Sequence, residues 1–324
     1  MFNKIKKKMR IDFSKNIKLF FYIKGFFNLL IPFSIYKKNF LSIYESLNEI
    51  DKDYINKRVN YYNKQKSSFK VSVNACQIIE FIKNEKKKTY YFDLLEYVKY
   101  FSKKYYIEYI FGDVTYVPNI PSIVKSRPIK VDNTNSILMK LNKIRHFIFV
   151  NDDVSYEDKL NKAVWRGKCY TSHRNIFVEL FYNKEFCDIG QTNTKGNMNV
   201  PWQKNKLSLN EQLRYKFLIA IEGNDVASNL KWAMSSNSLV LMSKPQYETW
   251  FMEGTLIPNY HYVLLKDDYS DMEEKIIFYT KHTDKAKEII SHANKYIEQF
   301  KNEEYEDLIS YMVLQKYFKY SDQS

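Results

Sequence analysis

The chain has 324 residues, 45% of them hydrophobic and 17% aromatic, and its 51 Lys and Arg against 37 Asp and Glu give a net charge of +14. With only 7 Gly and 7 Pro, this composition excludes a disordered or loop-rich chain and is sufficient for one large domain or two ordinary domains. The positive charge favours anionic partners such as nucleotides, phosphorylated glycans, nucleic acid or acidic lipid headgroups. Three cysteines without CxxC spacing or a nearby pair of histidines argue against a disulfide framework and a zinc site.

The first segment, residues 1–45, contains a basic stretch followed by a predicted amphipathic helix. At about 100° per residue, Lys18, Lys24, Gly25 and Asn28 fall in a sector of roughly 120°. The wide apolar face comprises Leu19, Phe20, Ile23, Phe26, Phe27 and Leu30. The lysines exclude a secretion signal, and the stretch is too short and too charged to span a bilayer. Two interpretations stay open, namely an anionic membrane surface bound through residues 1–38 or a helix packed on the domain.

Apolar segments alternate with helix-length polar segments in the rest of the chain. A polar helix is predicted at 46–66, a strand at YYFDLL near Tyr90, a helix to Lys104 and a strand at YYIEYIFGDV. Further on, KAVWRGKCYTSHRNIFVELFYN is predicted as strand, loop and helix, and 271–320 as a long helical end. Strands that alternate with helices predict an α/β fold with parallel sheets. We divide it near 151–161 into halves of residues 46–155 and 156–324.

A second strand–turn–helix unit is predicted at FLIAIEGNDVASNLKWAMSSNSLVLM, with a strand at 217–221, a turn at 222–225 and a helix at 226–237. Ligands of open α/β sheets gather at the carboxyl ends of strands. Gly223 permits close backbone approach, and the free N–H groups of the helix's first turn favour phosphate. Helix capping by Asn224 or Asp225 is the alternative. Neither GxGxxG nor GxxxxGKS is present in the sequence, which disfavours a Rossmann dinucleotide site or a P-loop.

The loop WRGKCYTSHR lies between the earlier predicted strand and its helix. Its cations and hydroxyls, around Gly167, are Arg166, Lys168, Arg174, Thr171 and Ser172. Guanidinium and ammonium groups beside hydroxyl donors form a good diphosphate clamp, whereas a solvated basic loop is the alternative.

Asp113 follows the apolar strand-like segment 107–111 and should stand at the rim of a sheet in the first half. A carboxylate in that position could accept a proton from a substrate hydroxyl. A turn or cap residue is the alternative, since Asp bonds readily to nearby backbone N–H groups.

Taken together, these segments resemble glycosyltransferase family 90, the family of the protein O-glucosyltransferases and the fungal CAP10 proteins, in its bacterial lipopolysaccharide-biosynthesis form. The resemblance rests on the Arg166-Gly167 loop, on the run from Tyr215 through EGNDVASNLK to Lys231, on SLVL, and on Trp250-Phe251 with Pro258 and HYV. GDVTYVPNIPSIVKSRPI looks like the bacterial version of the segment that holds the family's catalytic Asp.

The resemblance implies a GT-B architecture, in which two Rossmann-like halves face each other across a cleft. It also implies a UDP-sugar donor, inversion of the anomeric centre and no metal cofactor. The catalytic base falls on Asp113, and the UDP-sugar contacts fall on Arg166, Lys168, Thr171, Arg174, Gly223, Asn224, Asp225, Val226, Ala227, Ser228 and Asn229. The eukaryotic branch has a small hydroxyl residue in place of Lys168 and an Arg in place of Asn229, so the charge that neutralises phosphate has moved between the loops.

We therefore expect an inverting, metal-independent transferase that moves a hexose or pentose to a hydroxyl of a glycan or lipid-linked glycan acceptor, such as lipopolysaccharide. We expect a cytoplasmic enzyme, peripheral on the inner face of the bacterial membrane, with no nucleic-acid partner. One alternative is a metal-dependent transferase using Asp51-Lys52-Asp53 as a DxD motif, although no apolar strand precedes it and helix capping is favoured. The other is a noncatalytic module that binds nucleic acid or a membrane surface.

Overall fold

The computed structural model describes residues 13–30, 40–83 and 88–323. The helices of the first half are α1 (Phe13–Leu30), α2 (Phe40–Ser46), α3 (Glu49–Tyr62), α4 (Ile78–Lys83), α5 (Thr89–Val98) and α6 (Lys143–His146). Its strands are β1 (Cys76–Gln77), β2 (Tyr106–Ile107), β3 (Tyr109–Ile110), β4 (Ser122–Val124), β5 (Ser126–Pro128) and β6 (Ser136–Leu138).

The second half has longer strands. They are β7 (Leu160–Gly167), β8 (Cys187–Gln191), β9 (Tyr215–Ile219), β10 (Leu239–Met242), β11 (Tyr247–Thr249) and β12 (Val263–Leu264). Its helices are α7 (Ser172–Phe181), α8 (Leu209–Gln212), α9 (Leu230–Met234), α10 (Met272–Lys281), α11 (Thr283–Glu298) and α12 (Glu303–Tyr320). The predicted strand, loop and helix at β7 and α7 are confirmed, and the predicted helical end consists of α10, α11 and α12.

Five parallel strands form the main sheet, in the order β12-β10-β9-β7-β8. Along β9, Phe217 and Ile219 contribute to one buried cluster and Leu218 to another, because successive side chains of a strand point to opposite faces. Both faces of this sheet are therefore buried, and its strands are nearly continuous apolar runs in the sequence. The predicted α/β class is confirmed.

A smaller parallel sheet in the first half has the order β3-β4-β6. The two halves are joined by the antiparallel pairing of β5 with β11 and by α12, which packs against α2, α3 and α5. The division at residues 155 and 156, and the GT-B arrangement of two domains, stay predictions.

The prediction of a strand near Tyr90 was wrong, because these residues form the helix α5. The helix is buried on several sides, with Phe92 against α1 and other residues against α6 and α12. A helix buried all round gives a continuous apolar run, which periodicity cannot distinguish from a buried strand.

The helix predicted at 226–237 was also wrong in its bounds, since α9 covers only Leu230–Met234. Residues 223–229 form an irregular loop in which Asp225 pairs with Lys125 and the Asn229 amide donates to the carbonyl of Ile219 at 2.8 Å. These side-chain contacts hold the loop away from a helical path, so no helix N-terminus lies at residues 222–226.

Helix α1 packs on the domain around Gly25, which belongs to the sector predicted to be polar, whereas Lys24 of the same sector is exposed and the side chains of Lys18 and Asn28 lie outside the described residues. Gly25 is buried against Phe92, whose ring would lie 2.6 Å from a Cβ at that position, and Phe21 and Tyr22 contact the same ring edge-on. The residues exposed on the opposite side are Leu19, Phe20, Ile23, Phe26 and Phe27, at 41–69%. Most of the predicted apolar face thus points outward, although the Phe26 ring also contacts Phe92 edge-on, and the Leu30 side chain lies outside the described residues. None of the described helices is both long enough and apolar enough to cross a membrane.

Candidate active site

Two neighbouring cavities, of about 870 and 260 Å³, lie at the carboxyl ends of the main sheet's strands. The larger is lined by loops that follow β7, β9, β10 and β12, together with Asp113, Thr115 and Lys130 of the first half. The smaller is lined by Asp113, by Arg145 and His146, and by some residues of the two loops, namely Lys168, Tyr170, Thr171, Arg174, Gly223, Asn224, Asp225, Val226 and Ser228. Asp113, Thr171, Gly223 and Asn224 line both cavities, so these residues mark their junction.

Asp113 stands at the end of a short strand, as predicted. Gly112 precedes it with φ of +117°, a conformation that an L side chain rarely adopts, and this turns the chain so that Asp113 faces the cavities. One carboxylate oxygen of Asp113 accepts from Lys125 Nζ at 2.5 Å and the other from Asn224 Nδ2 at 3.1 Å. The structure therefore joins the predicted catalytic residue to the predicted donor loop, across 111 positions of sequence.

Lys125 is the centre of this contact and is missing from the sequence-based prediction. Its ammonium is buried and bridges Asp113 Oδ1 at 2.5 Å and Asp225 Oδ2 at 2.6 Å. Burial lowers the pKa of Lys125, but the adjacent carboxylates of Asp225 and Asp113 outweigh burial and raise it overall. The lysine is therefore charged and holds one carboxylate from each half of the chain.

The Asp113 carboxyl has a pKa below its ordinary value. Burial favours the neutral acid, but the hydrogen bond and charge of Lys125 and the amide of Asn224 outweigh burial. Asp113 is thus ionised at neutral pH while its side chain is still 29% exposed. An ionised and accessible carboxylate can accept a proton.

Arg174 ties the loops after β7 and β9 together. Its guanidinium donates to the carbonyls of Glu222 at 2.8 Å, Ile221 at 2.6 Å and Lys168 at 3.1 Å. Gly223 lies directly beneath it, since a Cβ there would be 3.3 Å from Nη2. Three of the five N–H donors of an Arg are occupied in this way, and Arg174 also lines the smaller cavity.

The other polar residues of the basic loop differ in where they point. Lys168 is exposed, with its ammonium 5.7 Å from the Tyr170 ring centroid, and Thr171 precedes α7 without a side-chain cap bond. The first N–H groups of α7 are therefore left without a capping side chain at the junction of the cavities. Arg166 turns away and pairs with both oxygens of Asp188 at 2.8 Å.

The predicted donor residues are thus brought together only in part. Lys168, Thr171, Arg174, Gly223, Asn224, Asp225, Val226 and Ser228 line the cavities. Arg166, Ala227 and Asn229 do not line them. Arg166 instead fixes β7 to β8, the Asn229 amide fixes the loop to β9, and Ala227 is a core residue. At Gly167 the Trp165 ring packs 2.3 Å from where a Cβ would stand, so the close approach of this ring requires glycine.

Three further cavity residues were missed by the sequence analysis. Arg145 and His146 belong to the short helix α6, and Glu222 ends the segment after β9. Burial raises the pKa of Glu222 to about 7, even though its Oε1 accepts from the backbone N–H groups of Gln246 and Tyr247. No periodic pattern marks α6, which has only four residues, so the sequence gives little signal for Arg145 or His146.

The residues considered for metal binding do not lie in the cavities. Asp51 lies in the first turn of α3, where Asn48 is the N-cap and bonds Asp51, and Asp53 follows in the next turn. Within residues 13–30, 40–83 and 88–323, no three His, Cys, Asp or Glu side chains cluster as a metal site would require. Whether the reaction needs a metal stays a prediction.

Comparison with known proteins gives similar sequences over most of the chain. The family model described as glycosyl transferase family 90 matches residues 131–322. O-glucosyltransferase LpsA of Dichelobacter nodosus is 40% identical over 264 residues, 82% of each chain. Protein O-glucosyltransferase 2 of Danio rerio is 30% identical over 41% of this chain and 28% of its own, and Protein O-glucosyltransferase 3 of Homo sapiens is 27% identical over 52% and 34%. The matched family range contains both cavity loops of the second half, whereas Asp113 precedes it.

Proposed function

Because the chain belongs to glycosyltransferase family 90, we propose that it transfers a sugar from a UDP-sugar to a hydroxyl of a glycan acceptor, with inversion and without a metal ion. The observation that carries this proposal is the contact of Asp113 with Asn224 and, through Lys125, with Asp225. This contact puts an ionised carboxylate beside the loop that the family resemblance assigns to the donor.

In the proposed reaction, the acceptor hydroxyl oxygen forms a bond to the anomeric carbon while its proton passes to Asp113. The bond from that carbon to the diphosphate oxygen breaks on the opposite face, and UDP leaves with the electron pair. Asp113 is a weak base because Lys125 lowers its pKa. It therefore accepts the proton late, once bond formation has made the hydroxyl more acidic.

The departing diphosphate needs positive groups, and the smaller cavity offers them. The cations that line it are Lys168, Arg145 and Arg174, and the uncapped first turn of α7 lies at the junction. Fixed cations and backbone N–H groups stabilise charge that develops on a leaving group without having to reorganise. In this proposal they replace the divalent ion that many transferases use.

Similarity to proteins named O-glucosyltransferases favours glucose as the transferred sugar. The acceptor that we propose is lipopolysaccharide or another surface glycan, in line with the bacterial form of the family that the sequence resembles. The open larger cavity, of about 870 Å³, has room for an extended acceptor beside Asp113.

A thermal-shift panel of UDP, UDP-glucose, UDP-galactose, UDP-xylose, GDP, CMP and ATP, each with and without EDTA, tests the donor. A ligand at about a hundred times its dissociation constant adds about 2.7 kcal/mol to the free energy of unfolding, a shift of a few degrees. We expect stabilisation by the uridine diphosphates alone, unchanged by EDTA. Loss of the shift in EDTA would instead show a metal-dependent site.

Asp113→Asn tests the base directly. The amide cannot take the proton, so we expect turnover to fall by about two to four orders of magnitude. The stabilisation by UDP should be almost unchanged, because Lys125 keeps its pairing with Asp225, and this serves as the internal control for an intact fold. Near-normal turnover would remove Asp113 from the mechanism.

We also propose that the outward face of α1 rests on an anionic membrane surface. Its exposed apolar side chains Leu19, Phe20, Ile23 and Phe27 lie away from the Gly25 contact with Phe92, and the sequence before the helix contains Lys4, Lys6, Lys7, Lys8 and Arg10. An apolar helix face beside basic residues matches a bilayer that presents acyl chains below anionic headgroups.

Sedimentation with lipid vesicles tests this surface. The protein should pellet with vesicles that contain phosphatidylglycerol, less so at high salt, and Phe20→Asp with Phe27→Asp should remain in the supernatant. Ile50→Asp is the matched control, since Ile50 is 83% exposed on α3. If the double variant changes the oligomeric state and leaves vesicle binding intact, the face is a contact between two copies.

A further inference from the structure

The smaller cavity contains a buried histidine whose ring nitrogens are both unpaired. His146 is 2% exposed and lines this cavity, and within the described part of the chain neither Nδ1 nor Nε2 has a hydrogen-bond partner. Buried polar groups in proteins are usually paired, and an unpaired one destabilises the folded state. The unpaired imidazole of His146 is therefore not explained by the stability of the folded chain.

A second buried histidine gives the contrast. His261 is 8% exposed, and its Nδ1 accepts a hydrogen bond from the backbone N–H of Ile257 at 2.9 Å. Its imidazole is thus tied into the structure of its own loop. His146 has no such function in the fold, although its backbone N–H bonds normally to Asn142.

The surroundings of His146 keep its imidazole neutral. Burial lowers its pKa well below the ordinary value, and the positive charges of Lys231, Lys125 and Arg145 lower it further. A neutral imidazole has one N–H donor and one acceptor nitrogen. It can therefore both give and receive a hydrogen bond within a single site.

Because the neutral imidazole of His146 has one donor and one acceptor nitrogen, it favours a ligand that can both accept and donate a hydrogen bond. A sugar hydroxyl, or two neighbouring hydroxyls, both donates and accepts, whereas an ionised phosphate oxygen only accepts. The same cavity, of about 260 Å³, carries the cations Arg145, Lys168 and Arg174. It lies below the range of about 300–1,000 Å³ that is typical of pockets for drug-sized ligands, so it is too small to hold a whole nucleotide-sugar and suits the part of the donor around the diphosphate and the sugar.

We propose that His146 binds hydroxyl groups of the transferred sugar, beside the cations of the smaller cavity that the proposed function assigns to the diphosphate. This inference rests on the proposed function, because it takes the anion beside the sugar to be a nucleoside diphosphate. Asp113 lines the same cavity, so a sugar in it has its anomeric carbon near the proposed base. His146 then contributes to the choice among UDP-sugars and not to the binding of UDP.

The test compares UDP with the UDP-sugar that binds the wild-type protein best, by calorimetry, on wild type, His146→Leu and His146→Gln. Leu has a similar size without polar atoms, whereas Gln restores one donor and one acceptor. For His146→Leu we expect UDP affinity within about twofold of wild type and affinity for the UDP-sugar about tenfold weaker, as the loss of about one hydrogen bond gives. His146→Gln should recover part of that loss.

Melting temperatures of the ligand-free proteins separate this role from a structural one. Because Leu removes two unpaired nitrogens, His146→Leu should melt at the same or a higher temperature than wild type. A lower melting temperature in both variants would make His146 a structural residue. An equal loss of affinity for UDP and the UDP-sugar, or no loss at all, would overturn the sugar contact. A wild-type protein that binds neither ligand would overturn the proposed function itself.

Discussion

At the scale of single residues, Lys125 determines how Asp113 can act. The Lys125 ammonium is buried between the carboxylates of Asp113 and Asp225. The contact with Lys125 lowers the pKa of Asp113, which is the carboxylate that faces both cavities. An Asp in this position without a cation would be governed by burial, which raises a carboxyl pKa. The lysine therefore sets the lower pH limit at which Asp113 is available as a base.

Replacing this lysine should move the pH dependence of the reaction. In Lys125→Met combined with Asp225→Asn, which leaves no buried carboxylate unpaired, we expect the acidic limb of the kcat/KM profile to shift to higher pH. Asn224, Arg145 and Tyr90, the other groups that influence Asp113 or Lys125, are retained in that variant.

The matched controls are Asp225→Asn alone, which keeps Lys125, and Lys130→Met, which removes an exposed lysine of the larger cavity. Neither should shift the acidic limb. An unshifted limb in the double variant would show that another group controls it.

Glu222 gives a separate prediction about stability. Its pKa rises from 4.5 to about 7 on burial, so between these values the folded protein binds a proton that the unfolded chain has released. The free energy of unfolding should therefore fall as pH rises through this window, by at most about 3 kcal/mol. Glu222→Gln keeps an acceptor for Gln246 and Tyr247 and should flatten the decline. Urea unfolding of wild type and Glu222→Gln at about pH 5 and pH 7.5 measures this decline, and any contribution of the buried Asp93 is the same in both proteins. An equal decline in both proteins would contradict the assignment of the decline to Glu222.

At the scale of elements, the turn after β3 depends on Gly112. With φ of +117° and open space around it, an alanine there has room but must adopt a strained backbone, at about 1–3 kcal/mol. If the turn relaxes instead, Asp113 moves. We expect Gly112→Ala to lower turnover at least about tenfold, because misplaced catalytic groups are inefficient.

Gly196 supplies the control for this change. It has φ of +77° and equally open surroundings, but it lies outside both cavities. Gly196→Ala should destabilise the protein to a similar degree in thermal unfolding and leave kcat almost unchanged. Similar turnover in both variants would show that the Gly112 turn does not position Asp113.

The elements that the sequence predicts well are those with local causes. β7, α7 and β9 follow from apolar runs bounded by polar loops, and Asp113 follows from its place after a strand. Lys125 could not be predicted, because its two partners lie at 113 and 225 and become neighbours only in the folded chain. Likewise, the outward apolar face of α1 depends on the Gly25 contact with Phe92, which helical periodicity does not reveal.

At the scale of the whole molecule, a buried charge network joins α3 of the first half to the last helix, α12. Glu306 of α12 pairs with Arg58 of α3 at 2.6 Å and Lys140 at 2.7 Å, and it accepts from Trp250 Nε1 at 2.7 Å. The Trp250 ring stacks on Tyr62 with centroids 3.8 Å apart. These contacts connect segments that are some 250 positions apart in the chain, as in the Asn63 bond to Val313.

Removing the charge of Glu306 should be strongly destabilising. Glu306→Gln leaves Arg58 and Lys140 without their buried counter-charge, and we expect about 3–5 kcal/mol lower free energy of unfolding in urea. Glu304→Gln, exposed on the same helix, should change it by less than about 0.5 kcal/mol. Equal effects of the two substitutions would show that the network contributes nothing specific to stability.

The packing of α12 on α2, α3 and α5 also constrains how the chain is made. Synthesis proceeds from the N-terminus, and many domains fold as they emerge from the ribosome. Here α2, α3 and α5 lack their partner until residues 303–320 have been translated. The apolar surfaces that these helices turn toward α12 therefore stay uncovered while all the residues between α5 and α12 are made, and this part of the core is completed only when α12 has formed.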